Sequence, residues 1–325
     1  MINGRMKVLI AYDGSGCADA ALDDLRRAGL PKVVEALVIS VAEVWLPPPP
    51  PSSYEIVEAA EEARTPAELE KAYWQHSPAV NGARQLASQA RARLERSFPE
   101  WSVSMEAFVG SPAHEIVRKA DEWQPDLIVV GSHGRSALGR LVLGSVSQKV
   151  VTEARASVRV ARGRIEVDES PVRILIGVDG SFGSQAAVRA VAARSWMAGS
   201  EARVCIVDDP LVPTLIGRII PPVAEMVEES NRGERLLVGK IADAATDELR
   251  AAGLNASSRI IEGDPKKDLV REAERWGADS IFVGSTGSSS ALERFLMGSV
   301  SAAVAARAHC SVEVVRAKRE HAANS

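Results

Sequence analysis

Four small residues, Gly131, Gly134, Gly144 and Ser145, stand in the pattern G-x2-G-x9-G-S, and an Asp-Gly-Ser triplet stands at Asp13, Gly14 and Ser15. Glycine lets main-chain N–H groups come close to an anion, and the open N–H groups and dipole of a helix start add attraction for phosphate. Gly144 and Ser145 precede a helical segment expected near Val146, so the chemistry on offer is anion binding at a helix start. Taken singly, each element has a plainer role, Ser145 as an N-cap and the glycines as turn residues. Recurrence shifts the weighing toward phosphate. Asp179, Gly180 and Ser181 repeat the triplet, and Gly284, Gly287, Gly298 and Ser299 repeat the cradle, with ten residues in place of nine before the third glycine.

Other chemistries have weaker support. No GxGxxG follows the first apolar run and no GxxxxGK[ST] is present, which argues against a dinucleotide-binding unit and a P-loop. There is no GxSxG elbow, and no pattern links Ser15, Ser145 and His133 as nucleophile and base. His133 occupies a variable position of the glycine loop where the second copy has Thr286, so a solvent-facing loop histidine is the simpler reading. Cys17, Cys205 and Cys310 lie far apart without metal-ligand spacing; reduced thiols are expected, with no structural metal and no assigned catalytic residue.

The elements that must position these residues come as a duplicated set. MKVLIAYDGS at 6–15 returns as VRILIGVDGS at 172–181, and VVGSHGRSALGRLVLGSVS at 129–147 returns as FVGSTGSSSALERFLMGSVS at 282–301. Asp13 to Val41 and Asp179 to Val207 are both 28 residues; Gly110 to Gly131 and Gly263 to Gly284 are both 21. A repeated spacing of this kind means a repeated structural unit. Short runs rich in apolar residues at 6–12, 35–42, 102–109, 126–131 and 157–161 recur at 172–178, 202–207, 257–262, 279–284 and 311–315. Such runs read as strands buried on both faces, with the longer periodic segments between them as covering helices. The fold class is α/β, two tandem doubly wound domains at 1–165 and 166–325. The polar segment 163–171, closed by Pro171, reads as the linker. The first copy is longer between Val41 and Gly110, and that insertion opens with prolines at 46–53 that must leave the sheet along the surface. It reads as a spacer into a solvated acidic helix, with a docking surface around Tyr54, Tyr73 and Trp74 as the alternative.

Composition narrows the partners. At 325 residues the chain is 46% hydrophobic and 25% charged, with a net charge of −4 and a pI near 5.9. That is ordinary globular material without the basic stripe that nucleic acid demands. No apolar run approaches the roughly 20 residues of a membrane span, and the first residues lead straight into a strand, so a cytoplasmic location is expected.

The DGS triplets, the GxP turns at Gly110-Ser111-Pro112 and Gly263-Asp264-Pro265, the glycine loops and the closing strands SVRVAR and SVEVVR together resemble the universal stress protein family. The resemblance covers 6–162 and 172–316, as a tandem member. It implies five-stranded parallel sheets of order 3-2-1-4-5, with ATP, accompanied by Mg²⁺ on its phosphates, across the ends of strands one and four. Asp13 would then face the nucleoside or ribose and Val41 the adenine, while Gly131, Gly134, Gly144 and Ser145 hold ribose and phosphates. In the second copy Asp179, Val207, Gly284, Gly287, Gly298 and Ser299 take those places, and the extra loop residue makes unequal binding the expectation. With no residue to activate water, hydrolysis would be slow at most, and the ATP-bound state would signal to a protein partner. The alternatives are a scaffold or interaction module independent of nucleotide, and a slow ATPase or nucleotide-dependent transferase. The closing edge strands imply an intramolecular pseudo-dimer, with room for a further homodimer of chains.

Overall fold

The computed structural model describes residues 5–43, 78–134, 143–162, 170–208, 221–285 and 297–317, the side chains of 221–235 apart. The proline run, Tyr54, Tyr73, Trp74, the boundary at 165 and Gly287 lie outside the described residues.

The first copy runs β1 (Met6–Ala11), α1 (Gly16–Asp24) with a 3-10 turn (Leu25–Arg27), β2 (Val34–Ala42), α2 (Pro78–Ser97) and β3 (Ser102–Val109). It continues as α3 (Pro112–Trp123), β4 (Leu127–Gly131), α4 (Ser145–Glu153) and β5 (Ser157–Ala161). The second copy runs β6 (Arg173–Gly177), α5 (Phe182–Ala192), β7 (Glu201–Asp208), α6 (Pro221–Ala251) and β8 (Asn255–Glu262). It ends with α7 (Pro265–Trp276), β9 (Ser280–Gly284), α8 (Ser299–Arg307) and β10 (Ser311–Val315). The GxP turns start α3 and α7, where the missing proline N–H costs nothing and its fixed φ suits the first helical turn. In β1 the successive residues Val8, Leu9 and Ile10 have no exposed surface, which is possible only with helices on both faces.

The strands form one sheet in the order β3-β2-β1-β4-β5-β10-β9-β6-β7-β8. Each half reads 3-2-1-4-5 outward from its own far edge and is parallel throughout; the halves join where β5 and β10 pair antiparallel. Side chains along a strand alternate between faces. On one face Val158, Val160, Val312 and Val314 belong to a core that runs unbroken across the seam, with Leu9 and Ile128 at one side and Ile281 and Ala305 at the other. On the opposite face each copy keeps its own core, under α1 and α2 in the first and under α5 and α6 in the second.

Charged side chains fill the gap between those two cores. Arg159 and Glu313 face each other in register. Arg159 Nε and Nη2 donate to the Asp24 carboxylate at 2.6 and 3.1 Å, and its Nη1 lies 3.5 Å from Glu313 Oε2. Arg194 donates to Glu313 Oε1 and to the Ala28 carbonyl, the latter at 2.7 Å, while Ser311 Oγ donates to Asp24 Oδ1 at 2.7 Å. Two cations and two anions thus neutralise one another in a buried space. Desolvation offsets much of the Coulomb gain in such a network, so its clearest effect is on register. A one-residue slip would turn Arg159 onto the valine face and a valine into the charges. Beside the network the Trp196 ring covers Gly29, whose φ is 64°, at a place where an added methyl would lie 2.8 Å from the ring.

Replacing Glu313 by Ala leaves Arg194 buried without its carboxylate and should cost about 3–5 kcal/mol. Urea unfolding measures this directly, and a loss below about 1 kcal/mol, the scale of an exposed pair, would contradict the role given to the seam.

Candidate functional site

In a doubly wound sheet the crevice opens where strand order reverses, here between the C-terminal ends of β1 and β4. Asp13 and Gly14 follow the end of β1. Asp13 Oδ1 accepts from the Ser15 N–H at 2.9 Å, an Asx turn that needs the left-handed Gly14 at φ 76°. Ser15 then caps α1, its Oγ accepting from the Ala18 N–H at 3.2 Å.

The glycine segment meets this turn. A methyl on Gly134 would lie 3.1 Å from Asp13 Oδ2, so residues far apart in sequence share one small space. A methyl on Gly131 would lie 3.0 Å from the Cys17 carbonyl, because the first turn of α1 sits directly on the end of β4. The two ends of the loop are pinned together. The Gly144 N–H donates to the Ser132 carbonyl at 2.8 Å, and Ser147 Oγ donates to the Gly131 carbonyl at 2.6 Å.

Helix α4 begins at Ser145, one residue before the expected position, because Gly144 takes the N-cap place. Gly144 has no side chain to cap with, so the first-turn N–H groups at 145–147 have no intrahelical partner and end the positive pole of the helix. Ser145 is therefore not the N-cap. Val41, half-buried at the end of β2, completes the rim on the other side of β1.

Electrostatics add two observations. His133 Nδ1 lies 3.1 Å from Ser132 Oγ, and its buried Nε2 has no hydrogen-bond partner among the described residues. Burial and then the Arg162 charge hold this imidazole below its ordinary pKa, so it is neutral at pH 7. Tyr12, next to Asp13, donates its hydroxyl to Asp19 Oδ1 at 2.8 Å; burial and then Asp19 push its pKa up to about 12.

The second copy repeats the frame. Ser181 N–H donates to Asp179 Oδ1 at 3.0 Å, Gly180 has φ 77°, and Ser181 caps α5 through the Ser184 N–H at 3.1 Å. The Gly298 N–H donates to the Ser285 carbonyl at 2.6 Å, α8 starts at Ser299 with Gly298 as a bare N-cap, and Ser301 donates back to the Ser285 carbonyl at 3.2 Å. Val207 sits half-buried near the end of β7. One difference is plain: a methyl on Gly284 would lie 2.4 Å from the Gly183 carbonyl carbon, so α5 crowds its strand end more closely than α1 does.

Among the described residues no group of three or more His, Cys, Asp or Glu could hold a metal ion, and no helix is long and apolar enough to cross a membrane. Cys17, Cys205 and Cys310 are free thiols; burial first of all pushes Cys205 and Cys310 up to about 12. Sequence reasoning passed over Ser147 and Ser301, although the repeated GSVS tail carried the signal, and over Tyr12, which has no counterpart in the second copy.

A duplicated doubly wound domain, with Asp-Gly-Ser at one strand end and a bare helix start behind glycines at the next, defines the class. The profile of the universal stress protein family matches residues 4–162 and 172–316, and the chain belongs to that family. It is similar to universal stress protein Rv2005c of Mycobacterium tuberculosis, 28% identical over 319 residues, covering 95% of this chain and 96% of the relative. A universal stress protein of Mycolicibacterium smegmatis is 31% identical over 192 residues, covering 58% of this chain and 61% of its own length. Among solved structures, a universal stress protein from Archaeoglobus fulgidus aligns with TM-score 0.60 at 20% identity, covering 95% of this chain and 98% of its own; at that identity the likeness concerns the fold.

Two measurements test this geometry. Gly284→Ala meets backbone at 2.4 Å where Gly131→Ala meets it at 3.0 Å, so the first should lose more stability. The difference should be about 1–3 kcal/mol in denaturant unfolding, and equal losses would contradict the crowding. Tyr12 should also make the fold base-sensitive. Its pKa rises from 10.0 in the unfolded chain to about 12 in the folded one, so the unfolded state releases its proton first and stability falls as pH climbs through that window. Tyr12→Phe should flatten that part of the stability profile; an unchanged slope would remove tyrosine as its source.

Proposed function

We propose that the first copy binds an adenine nucleotide, ATP with Mg²⁺ on its phosphates, and that occupancy alters the association of the chain with a protein partner in the cytoplasm. The observation that carries this reading is the junction of the Asp13 turn with Gly134, beside a helix start that no side chain caps. The residues fit such a group. Gly134 and Gly144 keep clear the space that a Cβ would fill, and backbone N–H groups at a helix N-terminus favour phosphate. Gly131, Gly134, Gly144 and Ser145 would hold ribose and phosphates, Asp13 the ribose or base, and Val41 the adenine. Bound Mg²⁺ would neutralise phosphate charge, held mainly by the phosphates themselves.

The residues around this cradle suit holding better than turning over. Of the His133 ring nitrogens, Nδ1 is taken by Ser132 Oγ and Nε2 is buried among the described residues, so neither stands open to a water beside the cradle. The two copies, at 1–165 and 166–325, would bind unequally. In the second, the tight approach of Gly284 to α5 and the longer spacer before Gly298 both favour a weaker site at Asp179, Val207, Gly287 and Ser299.

Calorimetry with ATP tests the proposal. The unmodified chain should show one strong site, and Gly144→Val should weaken it at least about tenfold while the circular dichroism spectrum is kept. Unchanged affinity in that variant, or two equal sites in the parent chain, would contradict it.

A further inference from the structure

The groove between the first two helices is closed in one copy and open in the other. In the first copy a polar lock fills it. Tyr12 donates to Asp19 Oδ1 at 2.8 Å, and Arg93 on α2 donates to Asp19 and Asp23 on α1 at 2.8 and 2.7 Å. Laying Asp13 on Asp179, and the buried Ala87, Ala90 and Leu94 of α2 on Ala242, Ala245 and Leu249 of α6, gives the counterparts. Tyr12 becomes Val178, Asp19 becomes Gln185, Asp23 becomes Arg189 and Arg93 becomes Glu248. The ring is gone and the charges are reversed. Arg189 stands over the Phe182 ring at 5.4 Å, and among the described residues Arg189, Lys240 and Glu248 enter no ion pair.

A cavity of about 360 Å³ remains between α5 and α6. That lies within the range of about 300–1,000 Å³ usual for small-molecule sites. Val178, Val188, Ile241 and Ala245 give it apolar walls, and Arg189 and Lys240 line it with two cations against one anion, Glu248. The apolar stripe extends beyond the cavity. Leu237, Ile241 and Ala245 recur every four residues on α6, one face of the helix. Leu236 and Leu237 are 64% and 58% exposed, and Phe182 on α5 is 61% exposed. The first copy has Gly16, Asn81 and Gly82 at those three places, so it lacks this apolar mouth.

We propose that this cleft binds an amphiphilic carboxylate, its apolar chain against Val178, Val188 and Ile241 and its carboxylate taken by Arg189 and Lys240. An excess of cations on an apolar wall selects an anionic head over a neutral or cationic one, and guanidinium suits a carboxylate geometrically. Neither Asp179 nor Val207 is needed for this site.

Calorimetry on the full chain with octanoate, octanol and octyltrimethylammonium reads the selection. Octanoate should bind at least about tenfold more tightly than octanol, and the cation should not bind. Ala244→Phe puts a ring into the cleft and should abolish octanoate binding with the circular dichroism spectrum unchanged. Lys240→Gln, at an exposed position, should reduce the preference for octanoate over octanol whether or not the first variant folds. Absence of octanoate binding, equal affinities for the three probes, or a full preference kept in Lys240→Gln would overturn the inference. Displacement of octanoate by ATP would also overturn it, by making the cleft part of the nucleotide site.

Discussion

The antiparallel pairing of β5 with β10 is the constraint on which the rest of the molecule depends. Each copy alone would end in a strand of alternating valine and charge with one edge open to further pairing. Joined, the valines complete a core shared across the seam, and Arg159, Asp24, Glu313 and Arg194 complete one another on the other face. Each half holds one close ion pair of its own, Asp24 with Arg159 and Arg194 with Glu313. Ser311 to Asp24, Arg194 to the Ala28 carbonyl and Arg159 to Glu313 tie the two pairs together across the seam. The short linker keeps the partner strand at high effective concentration, so the tandem chain encloses the contact within itself.

The same pairing decides where the two candidate sites stand. Parallel strands put the C-terminal ends of each half on one edge, and the antiparallel join turns the second half end for end. The Asp13 crevice and the Asp179 crevice therefore open at opposite edges of the sheet. Each closing strand also ends in an arginine that crosses the seam. Arg162 Nη2 donates to the Ala305 carbonyl at 2.7 Å, and Arg316 Nη2 donates to the Val151 carbonyl at 2.6 Å. Both guanidinium groups thus cap the C-terminal turn of the other copy's helix, the favourable end for a cation. Arg162 reaches the first site as well, through its field on His133.

Local signals made most of the fold legible. All ten strands overlap the expected runs. The inner strands are largely buried on both faces and leave few polar positions to blur the reading. The edge strands β3 and β8, expected to be buried on both faces, are partly exposed because each pairs on one side only. The Gly110 and Gly263 turns mark the starts of α3 and α7 through Pro112 and Pro265. Within the site, the Asp13 and Gly144 elements announced themselves by repetition. What stayed hidden depends on pairs distant in sequence. Nothing near Arg194 indicates that it will meet Glu313, or near Arg93 that it will reach Asp19 and Asp23. The open cleft of the second copy was equally silent, because it follows from what Val178 fails to fill. The start of α4 one residue early has a local cause: Gly144, in extended conformation, takes the N-cap place itself and Ser145 becomes the first helical residue.

The role proposed for the first copy depends on whether the N–H groups at the start of α4 meet phosphate. Hydrogen exchange of the full chain, with and without ATP, resolves the backbone at each helix start. It should show ATP slowing exchange at Ser145, Val146, Ser147 and Ser15, with a smaller effect at Ser299, Val300 and Ser301. Protection that is absent from α4, or that falls on the start of α8 alone, would contradict the cradle assigned to the first copy.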